Sequence, residues 1–175
     1  MGHSAPAARR THSDGCRQSL CPPLAFLSLA TNPKGSDESR RCKAWLAELV
    51  AAGVQIMVPE GADYEVRREL IRAGRRGGLD RLDNLARKAG FLPVTTAVWR
   101  RAAELWAQAR NEGYATADDS ALDCDVILAA QALLVAEDGF EVIVATRNVG
   151  HLGRFVDARE WETITTDRPG GMPLP

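Results

Sequence analysis

The chain has 175 residues, 45% hydrophobic and 26% charged, with a net charge of −1, which suits one soluble domain or one domain plus a tail. That balance excludes the overall basicity of a dedicated nucleic-acid coat protein. Cys16, Cys21, Cys42 and Cys124 have neither C-x-x-C nor histidine-paired spacing, so reduced thiols are expected rather than a zinc site or a disulfide frame. The longest apolar run near the start, residues 22–30, is too short to span a bilayer and carries no cleavage pattern. The expected location is cytoplasmic, with no membrane contact.

In chain order, residues 1–19 show no helical or strand period and little to bury, and they read as disordered; the tail is placed at 1–22. Residues 24–29 are the first run that fits a buried strand, followed by the turn Thr31-Asn32-Pro33-Lys34-Gly35. Ser36 then caps a helix with Asp37 and Glu38 in its first turn, and Cys42, Trp45, Leu46, Leu49 and Val50 form its buried stripe before Gly53. Residues 54–58 predict a second buried strand closed by Pro59, and helices follow over 60–73 and 79–89. A third strand over 91–94 leads to a helix that starts at Thr95 or Thr96 and runs to Asn111. The fourth strand is expected at 142–146, a short fifth at 161–164, and a loose end over 165–175.

Residues 117–134, ADDSALDCDVILAAQALL, predict the helix that feeds the fourth strand. Asp125 falls on its apolar stripe with Leu122, Val126, Ala129, Ala130 and Leu133. A carboxylate on an inward face is capped by hydrogen bonds, paired with a base, or turned toward a cation. Asp118 and Asp119 suit the start of this helix. Between residues 65 and 110, ten Arg and one Lys face five acids, a local excess of six positive charges. Arg67, Arg68, Arg72, Arg75 and Arg76 form either a solvated surface or one that attracts phosphate.

Strands alternating with helices imply an α/β fold: a short parallel sheet of four to five strands flanked by helices on both faces. Ligands in such sheets gather outside the carboxyl ends of the strands. The polar residues to interrogate there are Glu60, Asp63 and Glu65 after the second strand and Thr146 to His151 after the fourth. Asp125 points to the same rim.

ADYEVRRE from Ala62, DVILAAQAL from Asp125 and ATRNVGHL from Ala145 resemble, in order and spacing, the signature blocks of PIN domains. These are metal-dependent ribonucleases found in many bacterial toxin/antitoxin pairs. The resemblance covers residues 27–164, and three blocks in order are more specific than any one alone. It implies a PIN-like domain over 23–164 in which Glu65, Asp125 and Asn148 hold Mg²⁺ or Mn²⁺ for hydrolysis of RNA. Thr146 matches the family's hydroxyl after the fourth strand. An antitoxin protein and a second copy of the chain are the implied protein partners. The chemistry is coherent, because two carboxylates about 4 Å apart repel by roughly 4 kcal/mol at an effective dielectric near 20, and a divalent cation relieves that repulsion. Bland alternatives stay open: Glu65 as a surface partner of Arg68, Asn148 as a turn former, and His151 as a cap for the segment that follows.

One departure is large. The family's first aspartate should fall near Pro23, yet no acid stands between Asp14 and Asp37, and Pro22 and Pro23 sit poorly in a central strand. Either activity has been lost, or the residues before Leu27 come from a shifted frame or misassigned start, which the composition of the tail favours. The expected function is therefore a toxin-like endoribonuclease whose activity the missing ligand puts in question. The competing reading is a catalytically silent PIN-like module that binds RNA or protein. A small-molecule phosphohydrolase is weaker, since no nucleophile motif or glycine-rich phosphate loop is present.

Overall fold

The computed structural model describes residues 18–21, 35–114, 123–147 and 149–165. Five parallel strands lie in the order β3-β2-β1-β4-β5. They are β1 (Gln18–Cys21), β2 (Gln55–Pro59), β3 (Gly90–Leu92), β4 (Glu141–Ala145) and β5 (Ala158–Arg159). The helices are α1 (Asp37–Ala51), α2 (Glu60–Arg72), α3 (Arg76–Lys88), α4 (Thr96–Asn111), α5 (Cys124–Glu137) and the short α6 (Val149–Leu152). No helix among the described residues is long and apolar enough to cross a membrane.

The sheet corrects the reading of the first strand. β1 lies inside the span assigned to a tail, in the centre of the sheet, with Cys21 beside Val144 and Leu20 beside both Ile56 and Ile143. The run at 24–29 and the prolines Pro22 and Pro23 lie outside the described residues. The fifth strand also differs: it is Ala158–Arg159, and Trp161–Thr163 is a 3-10 turn. That turn is held where a strand was expected because Trp45 Nε1 donates to the Ile164 carbonyl at 2.7 Å and packs edge-on to Trp161.

Alternation along the strands divides the core in two. On β4, Ile143 and Ala145 join one cluster with α1, α2 and α3, while Val144 joins another with α4 and α5. β2 does the same, Ile56 and Val58 facing one way and Met57 the other. Helices therefore cover both faces of the sheet, as the continuous apolar strands required.

Local signals place several boundaries. The Ser36 hydroxyl accepts from the Ser39 N–H and starts α1. Gly53, at φ +80, ends it with bonds from Val54 N to Leu49 O and Gly53 N to Val50 O, a left-handed turn that a side chain would strain. Buried Leu49 and Leu82 fix α1 and α3 to the sheet, and Leu82→Ala should cost about 3 kcal/mol.

α5 departs from its expected form. Within the described residues it begins at Cys124, capped by Asp123 rather than Asp118 or Asp119, which lie outside them with the rest of the helix's expected first turn. Residues 126–132 are all buried, so α5 is enclosed rather than amphipathic. α4 packs along it, and buried Gln131 ties it to β3 by donating to the Leu92 carbonyl at 2.6 Å.

Candidate metal centre at the strand-end rim

The site is built at the first turn of α5. The Asp123 carboxylate accepts the N–H groups of Asp125 (3.1 Å) and Val126 (3.3 Å), which satisfies orphan donors and starts the helix. Asp123 is thus consumed as a cap. Asp125, two residues on, carries its carboxylate where the buried body of α5 meets the rim, with 32% of its side chain exposed.

Asp125 has a poor partner. Its Oδ2 lies 3.4 Å from Nδ1 of His151 on α6, longer than a well-formed hydrogen bond. Burial pushes the Asp125 carboxyl above its ordinary 3.8, the negative charge of Asp123 pushes the same way, and His151 opposes both.

Glu65, on α2, reaches the same helix start by another route. It lies near the Cys124 thiol, whose ionisation it opposes, and 3.8 Å from Arg68 Nη2, with 20% of its side chain exposed. Burial first, then the nearby Glu65 carboxylate, push the Cys124 thiol up to about 11, so it stays protonated. Glu65 therefore stands beside the residue that precedes Asp125. Glu65 is thus near Cys124, while the charged groups acting on Asp125 are Asp123 and His151; Asn148 lies outside the described residues.

The other rim residues are occupied. Glu60 Oε2 accepts the Val94 N–H at 2.6 Å and joins α2 to the segment after β3. Asp63 is held by Arg67 through two hydrogen bonds of 2.7 and 3.0 Å, and the same guanidinium reaches Asp83 on α3 at 2.7 Å. These acids support the fold. Thr146 is buried, and its N–H donates to the Arg159 carbonyl at 2.7 Å, joining β4 to β5. Arg147 pairs with Glu38 in the first turn of α1, so both charges are balanced against each other at the rim.

The arginine surface is correspondingly reduced. Arg67 is committed to Asp63 and Asp83, and Arg72 and Arg68 pair with Glu69 and Glu65. The Asp63–Arg67 half of this clamp follows from their four-residue spacing on one helix, whereas the Asp83 half is hidden because Asp83 is distant in the chain. His151 is only faintly marked there, by its place three residues after Asn148 in ATRNVGHL.

Hard oxygen donors from Asp125 and Glu65, with an amide at Asn148, are chemically suited to Mg²⁺ or Mn²⁺. Among the described residues no group of three or more His, Cys, Asp and Glu side chains gathers at metal-holding spacing.

Parallel strands in this order, covered on both faces, with acids at the helix start that feeds β4, make a PIN-like fold. Three solved structures are similar to it. VapBC2 from Rickettsia felis bound to a DNA fragment from its promoter matches with TM-score 0.60 and 14% identity over 81% of this chain and 97% of that one. VapBC-1 from nontypeable Haemophilus influenzae matches with TM-score 0.59 and 14% identity over 83% and 99%. VapC20 from Mycobacterium tuberculosis, a Sarcin-Ricin loop cleaving toxin, matches with TM-score 0.52 and 17% identity over 79% and 97%. In sequence, the chain matches no family model and no curated protein.

Proposed function

We propose that this chain is a toxin-like, metal-dependent endoribonuclease whose centre lies at the first turn of α5. The observation that carries this is Asp125: a desolvated carboxylate at a strand-end rim, beside an imidazole and a second acid, with no ammonium or guanidinium against it among the described residues. The likeness to VapC-type toxin structures supports the reaction class, and an antitoxin is the corresponding protein partner.

Asp125, Glu65 and Asn148 would hold Mg²⁺ or Mn²⁺. When bound, the cation would supply an activated water and neutralise charge on the phosphodiester. Asp123 positions Asp125 by fixing the start of the helix. Asn148 adds a carbonyl without adding charge.

A second reading, a catalytically silent module that binds RNA or protein, is favoured by one fact: no acid occurs between Asp14 and Asp37. Mg²⁺ keeps several waters and depends on the few carboxylates it contacts, so losing one weakens its hold. The test is cleavage of a single-stranded RNA pool with and without EDTA, by the unaltered chain and by a variant whose first strand is restored in frame to end in aspartate. Restoration should increase EDTA-sensitive cleavage. Cleavage by neither chain supports the silent module, and equal metal-dependent cleavage by both would show that the missing aspartate was never needed.

A further inference from the structure

We propose that Arg154 and Tyr114 form a nucleotide-binding subsite, a stacked platform across which single-stranded RNA lies as it passes the Asp125 rim. The inference rests on RNA being the substrate and needs no bound cation. The Arg154 guanidinium carbon lies 3.6 Å from the centroid of the Tyr114 ring, in stacking contact, and both side chains are exposed, Tyr114 at 47%. Three other cation–ring pairs among the described residues are looser, at 4.6 to 5.9 Å. Acids also hold the cations of two of them, Glu162 for Arg41 and Glu65 for Arg68. No carboxylate partner for Arg154 stands among the described residues, and Asp157, the nearest acid in the chain, is gripped by Arg159 through hydrogen bonds of 2.8 and 2.6 Å. A guanidinium balanced only by a ring face keeps its N–H edge for an anion.

Backbone turns fix both halves of the platform. Tyr114 follows Gly113, whose φ of +80 ends α4; its N–H donates to the Ala109 carbonyl at 2.7 Å, and the Gly113 N–H donates to that of Arg110 at 3.0 Å. Arg154 follows Gly153, where a Cβ would stand 2.6 Å from the Val149 carbonyl oxygen, and the N–H groups of Phe155 and Val156 both donate to the Leu152 carbonyl. A platform held in this way loses little freedom when a ligand arrives. Its place in the fold suits a substrate strand: α6 packs on α5 and brings His151 to 3.4 Å from Asp125, and Arg154 comes three residues later. Three residues span at most about 11 Å, so an oligonucleotide crossing the platform reaches the rim. A base stacks on the open face of the guanidinium, whose N–H edge takes the adjoining phosphate. Unpaired bases of a single strand are free to do this, and those of a duplex are not.

The probe is a fluorescein-labelled single-stranded RNA of mixed sequence, titrated with the full chain in EDTA so that metal-dependent cleavage does not intervene. Arg154→Ala should raise the Kd about tenfold and lower the slope of log affinity against log salt by about 0.7. Arg154→Lys should keep the slope yet still raise the Kd about threefold, because lysine retains the charge and loses the stacking plane. Tyr114→Ala should weaken binding about fivefold, most of which Tyr114→Phe should restore. In the unaltered chain, RNA carrying 4-thiouridine should cross-link on irradiation at or beside Tyr114, a readout that depends on no variant's folding. Affinity unchanged in both alanine variants, or cross-links confined to other parts of the chain, would overturn the subsite and leave RNA standing as the substrate. An Arg154→Lys chain that binds as tightly as the unaltered one would reduce the pair to a point charge and overturn the stack. No RNA binding by the unaltered chain would remove the RNA reading and this inference together.

Discussion

Asp63 and Asp125 are both acids carried on the inward sides of helices, and the fold treats them in opposite ways. Asp63, with 9% of its side chain exposed, receives a two-pronged guanidinium from Arg67, which also grips Asp83 and so clamps α2 to α3. Asp125 receives a long contact from a single imidazole and sits near a second negative charge on Asp123. One acid is neutralised and contributes to stability; the other stands in a position that costs stability. An acid left in the second condition at a strand-end rim is where a cation or reacting group belongs.

The largest expected effect falls on Asp125. In the strand-restored variant, Asp125→Asn should lower metal-dependent RNA cleavage by at least about a hundredfold, or roughly 2.7 kcal/mol of transition-state stabilisation. Asp63→Asn should leave the rate per folded molecule nearly unchanged. Single-turnover cleavage at saturating Mn²⁺ separates the two, and similar losses would erase the functional distinction between these acids.

Arg67→Ala acts on the other half of the comparison. It leaves Asp63 buried without its counter-charge and should destabilise the domain by about 2–3 kcal/mol, read as a lower urea midpoint. The hydrogen bonds that Arg67 donates to Asp63 and Asp83 raise its pKa and outweigh its burial, so this loss should persist across neutral pH. An unchanged midpoint would mean that the clamp between α2 and α3 is energetically idle.

Asp125→Asn should have the reverse effect on stability. The folded-state pKa of Asp125 lies above its ordinary 3.8, so the folded chain holds that proton more tightly than the unfolded chain. Its contribution is most favourable below about pH 4 and becomes a penalty as the pH rises through the folded value. The asparagine variant should therefore melt a few degrees higher at pH 7, with the gain vanishing below about pH 4. A lower melting temperature at pH 7 would show that the carboxylate is satisfied by contacts other than those described.

The smallest effect concerns the surface. Reversing the charges of Arg75 and Arg76, for which no acid partner stands among the described residues, should weaken RNA binding for all sequences and flatten its salt dependence by roughly one unit of slope for each phosphate no longer neutralised. Reversing Arg67 should instead reduce the folded fraction. Affinity indifferent to salt would assign the whole arginine stretch to ordinary solvation.

Much of the architecture was legible from short-range chemistry. The Ser36 cap, the Gly53 stop, the apolar strands at β2 and β4 and the helices between them all depend on residues within a few positions of one another. Asp125 was legible as an anomaly because an acid interrupts an apolar helix. Less legible was β1: Gln18–Cys21 carries little strand signal of its own and gains its place from hydrogen bonding to β2 and β4. α5 misled for a related reason, since a helix enclosed on every side needs no polar face and its true cap, Asp123, competes in sequence with Asp118 and Asp119.

By itself, the sequence determined that acids would stand at a strand-end rim of a covered parallel sheet, because hydrophobic period and turn chemistry are local properties. Only the tertiary structure decided how those acids were used. Arg67 joins Asp63 to Asp83 across two helices, Glu65 comes near the Cys124 thiol, and His151 comes to face Asp125 from the far side of β4 in the chain. The four-residue spacing of Asp63 and Arg67 on one helix offers that pair in the sequence, but charges interact through space over a few ångströms, so chain spacing could show neither Asp83 in the clamp nor His151 beside Asp125.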